Sequence, residues 1–423
     1  MQRLFNIFLA IFVFTTFNRE FRVLGFDLRY AAVAAGLLLV FAEVYRRARH
    51  GERSAPRLTA SAFSNWDLAL FYFVLFASSI GWLWNGLPLG DQFAQLMILN
   101  ASNAVYVLAF SLCSDLLDVR TMYRYSFASL GVLALSMMWV YGGNDLPDIF
   151  HDNSIRVGHV GESGNLFGES VRVAGFAEDA NYACMFSAIG FVLAVSYFPK
   201  GDLRKYGLIA IFAFCFAISF SRTIAVGLVA ACLAAAAYAI LKRSWNTVAW
   251  IMTVCIILFA LYGLSHISAL NSSASMTTRF MLWGNAEDVF MQSPLIGGGL
   301  SSVRSATNVL YGGTWYVQCH STFWQILAEH GLAGMLVFAL VLARRFAFCR
   351  TRVQIFAVTV FAMLCMTSEF EYQQFFVFML ALYPFVIARE EQVSVSEELD
   401  SPSRPVHGRV GKARRGSRIG LAQ

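Results

Sequence analysis

Long apolar runs separated by short polar breaks dominate the chain. They fall near residues 4–18, 28–45, 67–84, 93–113, 125–141, 179–198, 206–220, 223–241, 247–265, 331–349, 353–369 and 373–388. Since about 20 apolar residues cross the hydrocarbon core of a bilayer, this pattern predicts about twelve transmembrane helices. No run alternates with the two-residue period of a barrel strand, and helices alone satisfy the backbone within lipid. Two breaks are much longer than the rest, near 142–178 and 266–330. The expected organisation is therefore nine spans within residues 1–265 with a loop near 142–178, a large loop over 266–330, and three more spans within 331–388. Loops of this length inside a compact chain are usually functional or disordered.

Composition supports the same class. Hydrophobic residues make up 58% of the 423 and charged residues only 14%, which excludes an ordinary soluble domain. The net charge of +6 is read through topology rather than as nucleic-acid binding. With the N-terminus placed inside, 24 of the 32 Lys and Arg fall in cytoplasmic segments and 8 outside. The positive-inside bias supports this orientation and puts both long loops on the outer face. Leu4–Phe17 precedes Asn18-Arg19-Glu20 without a small-residue cleavage site and reads as a retained first helix. Residues 389–423 turn acidic and then basic and rich in Pro, Gly and Ser, as expected of a disordered cytoplasmic tail. The eight cysteines lie mostly in or beside apolar runs without a CxxC pair. They read as small packing residues, not as a disulfide or metal framework.

The candidate chemistry sits in the predicted outer segments. His320 stands just before a helical segment, with Ser321 or Thr322 placed to cap it, and histidine can take a proton from a hydroxyl near neutral pH. Arg279 opens an amphipathic helix that Thr277 or Thr278 can cap. Phe280, Trp283, Val289 and Phe290 lie on one side, so this helix is expected to rest on the membrane surface. Pro294 ends it. Gly297-Gly298-Gly299 reads as a turn or as a nest of amides for phosphate. Ser219-Phe220-Ser221-Arg222-Thr223 leaves almost no room for a loop, which puts Arg222 at the outer membrane face. There it either snorkels or binds an anion, and its planar fork suits a diphosphate. Arg172 to Asn181 leads into a span and reads as a capped helix start or a polar rim for sugar and phosphate. Glu329 lies nearly opposite His320 on one helix, which argues against a local dyad.

Taken together these segments resemble the O-antigen ligase and Wzy-type O-antigen and exopolysaccharide polymerase superfamily. His320-Ser321, nine residues and then Gly331-x-x-Gly334 is similar to the ligase motif. Arg172-x-x-Gly175-Phe176 followed by Asn181, Ser219-x-Ser221-Arg222-Thr223, and Arg279-x-x-x-Trp283 with Pro294-x-x-Gly297-x-Gly299 resemble the other family segments in order. Glu178-Asp179-Ala180 departs from the usual Asp-Pro before the Asn. The resemblance covers roughly Arg172 to Leu342.

It implies an all-α, GT-C-like polytopic enzyme of the bacterial inner membrane, with a periplasmic site on a loop containing short helices. The implied reaction is metal-independent and cofactor-free glycosyl transfer from an undecaprenyl-diphosphate-linked glycan. The acceptor is a glycan or lipid A-core, with membrane lipid, a flippase and a chain-length regulator as partners. His320, Arg222 and Arg279 would be catalytic; Arg172, Asn181, Ser221, Gly299 and Ser321 would hold substrate. The leading reading is a polymerase of lipid-linked repeat units, with a ligase as the alternative. A transporter would instead show midplane charges and repeated halves. A non-catalytic envelope scaffold would tolerate loss of His320 and the arginines.

Overall fold

The computed structural model describes residues 1–24, 26–49, 65–80, 93–146, 159–162, 171–177, 179–199, 201–241, 244–263, 274–310, 319–349, 351–366, 368 and 373–382. The predicted tail lies outside these residues, as does most of the loop near 142–178. Helices α1 Gln2–Phe17, α2 Leu28–Arg49, α3 Trp66–Ser79, α4 Phe93–Leu112 and α5 Val119–Tyr141 form the first half. They are followed by α6 Ala180–Tyr197, α7 Leu203–Ile218, α8 Arg222–Leu241 and α9 Trp245–Leu258. The last part holds α10 Ala274–Gln292, α11 Ser302–Leu310, α12 Thr322–Phe348, α13 Arg352–Cys365 and α14 Gln374–Val377. Two short antiparallel strand pairs, β1 Arg22–Val23 with β2 Phe26–Asp27 and β3 His159–Glu162 with β4 Val171–Val173, accompany the helices.

Helix covers most of the described part of every predicted apolar run. Among the described residues, five helices are long and apolar enough to cross a membrane: α2, α4, α6, Ile224–Leu241 within α8, and α12. Four further apolar helices are shorter. The chain is thus a predominantly helical membrane protein, with fewer full-length spans among the described residues than the twelve apolar runs suggest.

The core is aromatic. Phe5, Phe8, Phe12 and Leu9 line one face of α1, repeating at three- and four-residue intervals, and are fully buried. The Phe12 ring meets Tyr106 and Phe110 of α4 edge-on at 4.9 and 5.0 Å, a favoured geometry for aromatic pairs. α1 packs on α2 and α5, α13 on α8, and α12 on α3, α9 and α10. All eight cysteines are free, six of them buried.

The main departure from the hydropathy pattern is α12. The apolar run begins near Gly331, but the helix starts nine residues earlier at Thr322 and bends at Gly331, whose φ of 63° and ψ of −162° are not helical. A bend there strands backbone groups that the buried interior cannot solvate. The loop after α10 satisfies them. Gly298 and Gly299 donate their amides to the Ala328 and Glu329 carbonyls at 2.8 and 3.0 Å. Leu332 and Ala333 donate theirs to Pro294 and Leu295 at 2.8 and 3.1 Å. The approach of the two backbones leaves no room for a side chain on either glycine at the crossing. A Cβ on Gly331 would overlap the Gly297 nitrogen, and one on Gly297 would overlap the Glu329 backbone. The short leg, Thr322 to His330, is entirely buried in protein.

Candidate active site

Each sequence-predicted segment has a local reason for its position. Asp179 caps α6, accepting from the Asn181 and Tyr182 amides at 2.6 and 2.9 Å, so Asp179 starts the helix without a proline after it. Just before it, Gly175 turns with φ 60° against α5, where a Cβ would overlap the Ser136 hydroxyl. The Phe176 amide donates to that hydroxyl at 3.1 Å. This fixes the direction of β4, which carries Arg172.

Arg172 joins three segments. Its Nη2 donates to Asn181 Oδ1 at 2.9 Å and to the Ser219 carbonyl at 3.2 Å. Ser219 is the buried C-cap of α7, and Ser221 beside it is buried as well. The helix α8 begins at Arg222. The Arg222 side chain lies outside the described residues.

Arg279 projects from α10. Burial lowers its pKa first; the Asp179 charge works against this and the Arg172 charge adds to it. Two arginines therefore stand within electrostatic reach of each other and of one carboxylate. Helix α10 does not rest on a membrane surface through its Trp283 and Val289 face, as expected from the pattern; both residues are buried and the helix packs on α12 and α11. It also starts at Ala274, so Thr277 and Thr278 lie inside it rather than at its cap.

His320 sits where α10 meets the start of α12. Trp283 Nε1 donates to the Cys319 carbonyl at 3.0 Å, pinning the backbone immediately before the histidine. On the other side, the Thr322 amide and hydroxyl both donate to the Ser368 carbonyl, at 3.0 and 2.7 Å. Ser321 caps α12 by accepting from the Trp324 amide. Held from both sides, His320 adopts φ 53°, the sparsely populated left-handed region for a residue with a side chain. Strain that the surroundings over-determine in this way is a mark of functional positions. The residue remains exposed in part. Desolvation of the remainder, and then the Arg279 charge, hold its pKa down to about 4, so the imidazole is neutral at neutral pH.

Arg172, Asn181 and Ser219 are thus joined by hydrogen bonds, and Arg279 lies within charge range of Arg172, Asp179 and His320. Two expected residues take other places. Gly299 donates its amide to Glu329 rather than presenting it to a ligand, so the glycine run is a brace for the α12 bend, not a phosphate nest. Ser321 uses its hydroxyl as a helix cap. Glu329 is fully buried and accepts from Gln325 Nε2 at 2.5 Å, and His330 pairs with the Ser78 hydroxyl at 2.6 Å, so neither forms a dyad with His320. Sequence reasoning missed the supports: Asp179 as the carboxylate near Arg279, the Ser219 carbonyl under Arg172, and Ser368 under Thr322. Only Asp179 had a signal, an acidic residue directly before a helix start.

Residues 207–339 match the family model described as O-antigen ligase. That stretch of the chain is similar to the O-antigen ligase family. The matched stretch runs from α7 into α12 and includes Arg222, Arg279 and His320; Arg172 and Asn181 precede it. No curated protein and no solved structure matches the chain.

Proposed function

We propose that this protein is a membrane glycosyltransferase that polymerises undecaprenyl-diphosphate-linked repeat units into O-antigen or exopolysaccharide at the periplasmic face of the bacterial inner membrane. The observation that carries this reading is the convergence of Arg172 and Arg279 beside a neutral His320. In the reaction, the bond between the anomeric carbon and the diphosphate oxygen breaks, and the diphosphate leaves with the electron pair. The acceptor hydroxyl oxygen forms the new bond to that carbon and gives its proton to His320.

Arg172 and Arg279, with Arg222 at the start of α8, stabilise the charge that grows on the leaving diphosphate. Preorganised cations of this kind act where solvent is scarce and need no rearrangement during the reaction. The depressed pKa of His320 has a use here. It keeps the ring unprotonated in the free enzyme. A diphosphate bound at Arg279 then offsets the part of the depression that comes from that charge, so the ring becomes a better base once the donor is in place. Asn181, oriented by Arg172, is positioned to meet sugar or phosphate oxygens.

The description of the matched family as O-antigen ligase supports a second reading, transfer of finished glycan onto lipid A-core. A deletion strain complemented with wild-type protein or with His320→Ala at equal abundance separates the two. A polymerase leaves single repeat units on the carrier and no long polymer anywhere. A ligase leaves long polymer stranded on the carrier. Unchanged glycans in the deletion strain, with the gene expressed in its parent, would overturn both.

A further inference from the structure

A recess lies beside the segment that carries Arg172 and Asn181. It is a cavity of about 390 Å³ between the C-terminal end of α1, the N-terminal halves of α2, α4 and α6, and the start of α14. That volume falls within the roughly 300–1,000 Å³ of ordinary ligand sites. The Glu20 amide donates to the Phe176 carbonyl at 3.1 Å, and the Phe21 and Phe176 rings meet edge-on at 5.0 Å. Both contacts tie the N-terminal hairpin to the segment that carries Arg172 and Asp179. Tyr182, one residue after Asn181, lines the cavity, and its hydroxyl accepts from Gln373 Nε2 at 2.5 Å.

The lining is rich in amide and aromatic side chains. Charge is nearly balanced: Arg19, Arg22 and Arg29 stand with Glu20 and Asp27, and Asp27 accepts from Arg29 Nε and Nη2 at 2.8 and 2.5 Å. Two carboxylates disfavour a diphosphate. Paired charges together with the amides of Gln95, Asn103, Gln373 and Gln374 offer donors and acceptors in alternation, as ring hydroxyls require. Tyr30 and Tyr106 add aromatic faces for the apolar faces of sugar rings.

We infer that this cavity is the binding subsite for the acceptor's oligosaccharide, holding the sugar chain while its terminal hydroxyl reaches past Tyr182 to His320. The inference rests on the glycosyltransferase reading for its direction, but the sugar binding is testable without turnover.

The test uses the full-length protein in lipid nanodiscs. The probe is the oligosaccharide repeat released by mild acid from the producing strain's own polysaccharide, labelled at its reducing end and titrated to equilibrium. Ser102→Trp fills the cavity and is expected to weaken binding about tenfold or more. Tyr30→Ala, at an exposed wall residue, is expected to weaken it about threefold by removing one aromatic face, and it carries the test if Ser102→Trp does not assemble. Arg279→Gln is expected to bind the probe as the wild type does. Absence of binding to the wild type overturns the inference, and so does binding that needs Arg279 but survives both cavity variants. Normal glycans in cells carrying His320→Asn, with cavity-dependent binding retained, would overturn the catalytic reading while leaving the sugar subsite standing.

Discussion

At one end of α12, Arg345 is buried with its guanidinium 3.2 Å from Asp67, and Arg344 reaches the same carboxylate at 3.5 Å. The Asn65 side chain and the Leu380 carbonyl accept further hydrogen bonds from Arg345. At the other end, beside the start of the same helix, Arg279 feels the like charge of Arg172 and the opposing charge of Asp179. The first arrangement puts a carboxylate and carbonyl oxygens of the fold in direct contact with Arg345. The second sets Arg279 between the charges of Asp179 and Arg172, next to a strained histidine. A membrane protein tolerates arginine in its interior when the fold supplies the counter-charge; where the fold supplies less of it, the balance is expected to come from the substrate.

The sharpest way to break this comparison is His320→Asn. Asparagine accepts the left-handed φ but cannot act as a base of similar strength, so glycan transfer should fall about 10²- to 10⁴-fold. The detergent-solubilised melting temperature should hardly move. A transfer rate within a few-fold of wild type would remove His320 from the chemistry.

Arg279→Gln should lower transfer about 10²- to 10³-fold by removing one stabilising cation. Because it also relieves repulsion with Arg172, its melting temperature should equal or exceed that of the wild type. A marked loss of stability would mean that Arg279 is a fold residue like Arg345.

Asp67→Ala should do the reverse. It leaves a buried guanidinium without its carboxylate and should cost about 3–5 kcal/mol of stability, read by denaturant or thermal unfolding, while the transfer rate per folded molecule stays near wild type.

The smallest effect lies in the pH profiles. A neutral base is active above its pKa, so a pKa held down to about 4 keeps kcat/KM flat from about pH 8 to below about pH 6, with the acid limb falling only near the free-enzyme value. The acid limb of kcat should lie at higher pH, since bound diphosphate offsets the Arg279 charge. Coincident limbs would separate Arg279 from the donor diphosphate.

Much of the helical framework was legible because apolar runs report helices directly. The four motif segments were legible too, through the order and spacing of Arg172, Arg222, Arg279 and His320. What those segments do for one another was less so. The glycine run read as a turn or as a nest for phosphate; only the bend at Gly331 reveals that the Gly298 and Gly299 amides are needed to close a broken helix. The apolar side of α10 looked like a membrane-facing stripe, since the spacing of apolar residues along a helix does not state what covers them; α12 does. The short leg of α12 escaped the hydropathy pattern because Gln325, Glu329 and His330 interrupt it, and these polar groups are tolerated inside through partners from the same leg and from Ser78 of α3.

By itself the sequence determined that this is a helical membrane protein and which short segments carry the candidate side chains, because hydropathy and residue chemistry act locally. The tertiary structure alone decided that Arg172 reaches Asn181 and Ser219, that Trp283 holds the backbone before His320 in its strained turn, and that Arg345 is neutralised while Arg279 faces a like charge. Those facts depend on contacts between residues far apart in the chain, and electrostatic balance at a site is set by distance in space, which spacing along the chain does not record.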